Sequence, residues 1–130
     1  MPNPHIFRVK KLHPHQHLWE PLEADPTFVL RPFFGGKTIY LGGKLMLFFC
    51  ARRPPMNGIW ACTDQTRHAA LRATLPELTP FPDHPKWLHV PDTHDRFEHV
   101  ATRLVELARR RDPRLGVEPV AKHRAKRRKM

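Results

Sequence analysis

The chain has 130 residues, 40% of them hydrophobic, and a formal net charge of +11. This length suits one domain, and this apolar content excludes a chain that is disordered throughout. The longest apolar run, residues 45–51, is too short to cross a membrane, and residues 1–11 lack a signal-peptide stretch. We therefore expect a cytoplasmic protein with no membrane partner. Cys50 and Cys62 lie in apolar segments, which favours buried thiols over a disulfide.

The positive charge is concentrated at the two ends of the chain. Residues 1–12 carry three basic residues and residues 121–130 carry six, and neither segment contains an acid. Between these ends, 14 basic and 12 acidic residues nearly cancel. We predict a flexible N-terminal arm over residues 1–14, a folded domain over 15–117 and a disordered basic tail over 118–130. Such a tail favours polyanionic partners, of which nucleic acid is the commonest.

The folded part begins with a short predicted helix at residues 15–24. Leu18, Trp19 and Leu22 form a compact apolar face at helical spacing. Pro21 cannot donate a backbone hydrogen bond, so it must lie in the first turn of a helix. The helix is therefore short, or it begins near Trp19.

Four strands are predicted next, at residues 27–33, 37–41, 44–51 and 58–63. Gly35-Gly36 and Gly42-Gly43 form turns between them. Each glycine pair precedes a strand, so neither offers the helix N-terminus of a phosphate-binding loop. The third strand is apolar on both faces and is expected to be central. The four strands predict an antiparallel meander.

The second half of the domain is predicted to be mainly helical. A middle helix starts at Thr63 or Asp64 and ends at Leu75. The proline-rich residues 76–85 are expected to be irregular, and residues 86–90 form a fifth strand.

The last helix has an apolar stripe at helical spacing. Its members are Phe97, Val100, Ala101, Leu104, Val105 and Ala108. Asp92, Thr93 and Asp95 are its cap candidates. The order of elements predicts an α+β domain in which an antiparallel sheet of about five strands packs against a short N-terminal, a middle and a long C-terminal helix.

Catalytic chemistry is weakly represented. The chain contains no serine, and neither cysteine follows a glycine-rich elbow or begins a helix. We therefore expect a protein that is not an enzyme and that has no cofactor. His13, His15 and His17 alternate, so an extended backbone would place three imidazoles on one side as a candidate Zn, Ni or Cu site. The alternative is a solvated histidine-rich arm that leads into a helix, and no second pair of ligands with suitable spacing is present.

Basic residues define a candidate nucleic-acid-binding surface, because phosphate contacts come mainly from Lys and Arg. The candidates at turns and strand ends are Lys37, Lys44, Arg52 and Arg53, and those in the tail are Lys122, Arg124, Lys126, Arg127, Arg128 and Lys129. The alternative is ordinary solubilising charge. Tyr40 and Trp60 would suit base stacking, but cross-strand packing is the favoured interpretation.

Residues 33–47, FFGGKTIYLGGKLML, resemble the signature of the TfoX N-terminal domain family: Met-Phe-Gly-Gly, a short aromatic strand, Asp-Gly-Lys and an apolar strand. The order of the later elements is also similar, so the resemblance spans roughly residues 15–112. The related YjbR-like group, described as DNA-binding-like, often has a basic residue and Trp near the position of Lys86-Trp87. The chain has Phe33 where the family usually has Met and Gly42 where it usually has Asp. The resemblance implies a bacterial, non-enzymatic α+β domain used in regulation or binding.

Taken together, the charge and the resemblance predict a regulatory or accessory domain that associates with DNA or RNA non-specifically through its basic tail. Two alternatives stay open at this stage. One is a protein-interaction module with a protein partner, and the other is a small metal-binding protein that uses His13, His15 and His17.

Overall fold

The computed structural model describes residues 13–119, which form an α+β domain as predicted. The helices are α1 (Gln16–Trp19), α2 (His68–Thr74) and α3 (Phe97–Arg109), and 3₁₀ turns cover Glu20–Ala24 and Gln65–Arg67. The strands are β1 (Val29–Phe33), β2 (Gly36–Leu41), β3 (Lys44–Cys50), β4 (Gly58–Ala61), β5 (Thr79–Phe81) and β6 (His84–Val90). Most of the predicted arm, residues 1–12, and most of the predicted tail, residues 120–130, lie outside the described residues.

All six strands form one antiparallel sheet in the order β1-β2-β3-β4-β6-β5. The predicted meander of the first four strands is confirmed, and β3 is buried on both faces. The prediction that residues 76–85 are irregular was wrong, because they contain β5 and the start of β6. β5 lies at the edge of the sheet, where Pro80 is tolerated because one side of the strand has no neighbour.

The main core lies between the helices and one face of the sheet, which we call the helix face. The predicted apolar stripe of α3 is confirmed, since all six of its members are buried. They pack in one cluster with Ile39, Leu47 and Ile59 from the central strands. α3 is the longest helix in residues 13–119, and no helix in that range is long and apolar enough to cross a membrane.

The helix starts follow the sequence only in part. α1 passes at Glu20 into a 3₁₀ turn that holds Pro21 in its first positions, where no N–H is needed. Asp64 caps the next turn by accepting a hydrogen bond from the backbone N–H of Thr66, as predicted.

The cap predicted for α3 was wrong. The helix begins at Phe97, and its N-cap residue is Arg96, which makes no side-chain cap hydrogen bond. Asp92, Thr93 and Asp95 all precede this cap position. Asp92 is engaged in a tertiary hydrogen-bond network instead, as described below.

A β-bulge in β3 sets which side chains reach each face of the sheet. Tyr40 pairs with Leu45, but the residue before Tyr40 pairs with Leu47, so Met46 is an extra residue. The Met46 carbonyl accepts a hydrogen bond of 3.1 Å from the backbone N–H of Cys62. Leu45 therefore packs on the face opposite to Met46 and Leu47.

After α3 the chain returns to the sheet. Val117 forms an antiparallel bridge with Leu45, with backbone hydrogen bonds of 2.9 and 3.0 Å in the two directions. The guanidinium of Arg67 donates to the carbonyl oxygen of Gly116 at 2.9 Å, which holds this segment in place. Pro119, the last described residue, consequently lies on the face of the sheet that the helices do not cover.

Candidate functional site

The face of the sheet opposite the helices, which we call the open face, is unusually aromatic. Its buried residues are Leu45, Phe48, Cys50, Trp60 and Cys62, and the half-buried residues packed on them are Tyr40, Met56, Phe81, Trp87 and Val117. Within residues 13–119, no helix contributes a side chain to this cluster. A solvent-facing side of an antiparallel sheet is normally polar, so this composition requires an explanation.

A cleft of about 620 Å³ opens on this face, which is within the range of about 300–1,000 Å³ typical of ligand sites. Phe48 and Trp60 form its floor. Phe33 and Phe34, at the end of β1, form one wall, and the ring centroid of Phe33 lies 5.3 Å from that of Phe48. Trp87, near the tip of the β5–β6 hairpin, forms the other wall, with ring centroids 6.3 Å from Trp60 and 6.4 Å from Phe48.

The wall formed by Phe33 and Phe34 is exposed, the wall formed by Trp87 is half-buried and the floor is buried. Phe34 is 60% exposed and Phe33 40% exposed, whereas Phe48 and Trp60 are at 2% and 1%. The indole N–H of Trp60 donates to the carbonyl of Met56 at 3.1 Å, so the floor is internally satisfied. The cross-strand packing predicted for Trp60 is confirmed by its burial. A ligand in the cleft would therefore contact the walls directly and the floor only at its deepest point.

Two cations flank the cleft on opposite sides. Arg31 on β1 is exposed, and its guanidinium carbon lies 5.8 Å from the centre of the Tyr40 ring. Lys86 on β6 is exposed at the other wall, beside the acid Asp83. Among residues 13–119, neither cation takes part in a salt bridge. Both remain available to an anionic group that enters the cleft.

Of the predicted basic residues, Lys37 and Lys44 do not lie at the cleft. Lys37 alternates with core residues of β2 and lies on the helix face, near His13. There the pKa of His13 is lowered to about 4 by burial and by the positive charges of His15 and Lys37. Lys44 lies at the other end of the β2–β3 ladder, opposite Leu41. The structure therefore separates two of the four domain cations that the sequence grouped.

Arg52 is the predicted cation that does lie beside the cleft. Its side chain packs over the turn after β1, and its guanidinium donates to the carbonyl of Phe34 at 3.4 Å. Arg53 follows in the same exposed loop. The six predicted basic residues of the tail lie outside the described residues. The first of them, Lys122, is three positions after Pro119, which itself lines the cleft.

The three alternating histidines do not form one set. The backbone turns into α1 after His15, and the ring Nε2 of His15 lies 3.1 Å from Asp92 Oδ2. The ring Nε2 of His17 lies 3.4 Å from Glu98 Oε2 on α3. Within residues 13–119, no group of three His, Cys, Asp or Glu side chains is placed to hold a metal ion.

A polar network adjoins the floor of the cleft through His89, which pairs with Trp60 on the neighbouring strand. Asp92 accepts a hydrogen bond from the side-chain amide of Asn57 as well as binding His15. The Asn57 carbonyl lies 2.8 Å from the ring Nε2 of His89, so this nitrogen carries the proton. The other side of the His89 ring packs 4.5 Å from Trp60. Burial lowers the pKa of His89, which keeps the ring neutral and suited to an apolar floor.

The cysteines take no part in exposed chemistry. Cys50 and Cys62 are free and fully buried, as predicted, and burial raises the pKa of the Cys62 thiol. A buried thiol that stays protonated is a poor nucleophile.

Sequence reasoning missed Phe34, Trp87, Arg31 and Lys86 as site residues. Arg31 and Phe33 are two positions apart in a predicted strand and therefore share a face, which was a usable signal. The opposite wall comes from a hairpin more than 50 positions later, so no local pattern joins the two walls.

No family model matches this chain, and no curated protein or solved structure matches it significantly. The resemblance to the TfoX N-terminal domain family stays a prediction.

Proposed function

We propose that this protein is a non-enzymatic accessory domain that binds nucleic acid, with the basic tail supplying phosphate contacts beside the open face of the sheet. The observation that carries the proposal is the point where the chain leaves the domain. Pro119 lines the aromatic cleft, and the charged tail begins three residues later, at Lys122. A polyanion attracted by the tail is thereby brought to the cleft.

Charges on the domain support the same orientation. Arg31, Arg52 and Lys86 are exposed at or beside the cleft. Contacts of this kind are electrostatic and independent of base sequence, so we expect non-specific binding to DNA or RNA.

The salt dependence of binding tests this proposal. The full chain is compared with a variant in which the six basic residues of 121–130 are replaced by Gln, using a fluorescently labelled single strand and anisotropy. Each phosphate neutralised on a single strand contributes about 0.7 to the slope of log K against log salt, so losing six contacts should reduce that slope by about 4. Arg103→Gln with Arg110→Gln is the control, since Arg103 lies on α3 and Arg110 is its C-cap, and both are exposed on the side of the sheet opposite the cleft.

The proposal fails if the tail variant binds with the affinity and salt slope of the full chain. It also fails if the α3 control loses as much affinity per removed charge as the tail variant does, because binding would then depend on net charge alone.

A protein-interaction module is the second candidate, and one observation favours it. The large apolar side chains exposed in residues 13–119 are Val29, Leu30, Phe33 and Phe34, which all lie on β1 or its following turn. Pro32 has no N–H, which weakens this edge as a site for strand addition. If the full chain binds no nucleic acid at low salt and elutes as a dimer from a sizing column, this second candidate replaces the first.

A further inference from the structure

The aromatic cleft has features that bulk electrostatic attraction to a polyanion does not require. A tail alone would give non-specific phosphate binding on any surface. The cleft instead presents the exposed rings of Phe33 and Phe34 at one wall and the half-buried ring of Trp87 at the other. Full burial of these rings in the domain would be favourable if nothing else used them. Exposed apolar patches of this kind mark sites of interaction.

We propose that the cleft takes unpaired bases of a single-stranded nucleic acid, which stack against Phe34 and Trp87 while Arg31 and Lys86 contact the adjoining phosphates. This inference rests on the proposed function and narrows its ligand. Aromatic side chains stack on bases of any sequence, so the site needs no base-specific partners. A duplex would not enter, because its bases are already stacked with one another.

The arrangement of charge in the cleft favours a base over a purely apolar ligand. The walls carry rings and the rims carry cations, which is the pattern of a surface that follows a strand with alternating bases and phosphates. Pro119, the last described residue before the tail, also lines the cleft. A purely apolar ligand would gain nothing from Arg31, Lys86 or the tail.

The test uses the full chain, a labelled single-stranded oligothymidine and a labelled hairpin duplex of A·T base pairs. Phe34→Ala and Trp87→Ala are the cleft variants. Val29→Ala is the matched control, since Val29 is exposed to the same 40% as Phe33 on the same strand but does not line the cleft. Circular dichroism spectra of all variants establish that they fold, which is expected above all for Phe34→Ala because the ring is mostly exposed.

Stacking on one aromatic side chain contributes enough that each cleft variant should bind the single strand about tenfold more weakly or worse. The salt slope should stay unchanged, because no charge is removed. Duplex binding should be unaffected by either substitution, and Val29→Ala should bind as the original chain does.

The possible failures can be told apart. If the cleft variants bind the single strand normally while the tail variant loses affinity, the proposed function stands and this inference is overturned. If Phe34→Ala lowers the affinity for the duplex and for the single strand equally, the cleft is a general contact surface and the inference is overturned as well. If the full chain binds neither ligand at low salt, both proposals fall, and a change in oligomeric state in Phe34→Ala would then assign the cleft to a second copy of the chain.

Discussion

Gly58 is the first residue of β4, and replacing it with alanine should strongly destabilise the domain. Its backbone φ is +127°, a conformation that residues with a Cβ rarely adopt. A Cβ at this position would overlap the carbonyl oxygen of Val90 and would lie 2.8 Å from the Cα of Pro91. Both contacts are with backbone, so a side-chain rotation cannot relieve them. The β4–β6 ladder would have to move.

The magnitude follows from two separate costs. Forcing a residue with a side chain into such a backbone conformation costs about 1–3 kcal/mol. Shifting packed backbone to admit an extra carbon costs about 1–3 kcal/mol more. Gly43→Ala is the matched control, because Gly43 has a φ of +81° but no atom lies within 4 Å of the added Cβ. We expect a loss of about 3–5 kcal/mol for Gly58→Ala and about 1–2 kcal/mol for Gly43→Ala.

Urea unfolding followed by circular dichroism measures both losses. A domain of this size has a total free energy of unfolding of about 5–15 kcal/mol, so Gly58→Ala should leave a narrow margin and a much lower midpoint. Equal midpoints for the two variants would refute the reasoning, since the backbone contacts of the added carbon would then carry no cost.

Two further predictions concern the polar network of Asp92, Asn57 and His89. Asp92→Ala should lower the free energy of unfolding by about 1–3 kcal/mol, because it leaves the buried amide of Asn57 without its acceptor. Asp95→Ala, at an exposed position, is the control and should change it by less than about 0.5 kcal/mol. Urea midpoints measure both changes, and equal losses would contradict the assigned role of Asp92. The pKa of His89 is lowered by burial, so the unfolded chain takes up a proton first, and stability should fall as the pH drops below about 6.5. Urea midpoints at about pH 7.5 and about pH 5.5 test this, and a higher midpoint at the acid value would contradict it.

The parts of the fold that the sequence predicted are those with a local signal. Glycine pairs marked the hairpins, and the apolar spacing from Phe97 to Ala108 marked α3. β5 was not predicted because its short segment contains Pro80, and proline normally argues against a strand. Edge position removes that objection, but edge position is a property of the finished sheet.

The α3 cap and the cleft could not be predicted from the sequence for a related reason. Asp92 has the residue type of a cap, yet its carboxylate is held by His15 and Asn57, which are 77 and 35 positions away. The cleft likewise requires Phe34 and Trp87, which are distant in the sequence, to line the same space on one face of the sheet. Such pairings depend on the topology of the whole domain, whereas sequence patterns report only on neighbours along one element.

The extra residue in β3 has a consequence for how the gene for this domain can change. Met46 and Leu47 are consecutive, yet both lie in the core on the helix face. Deleting the codon for Met46 would restore regular alternation, with Leu45 still on the open face and Leu47 still on the helix face. Deleting the codon of a regularly paired residue such as Phe49 would instead move the residues on one side of it to the opposite face of the sheet. The bulge is therefore the position of this strand where a one-residue deletion disturbs the alternation of the sheet least.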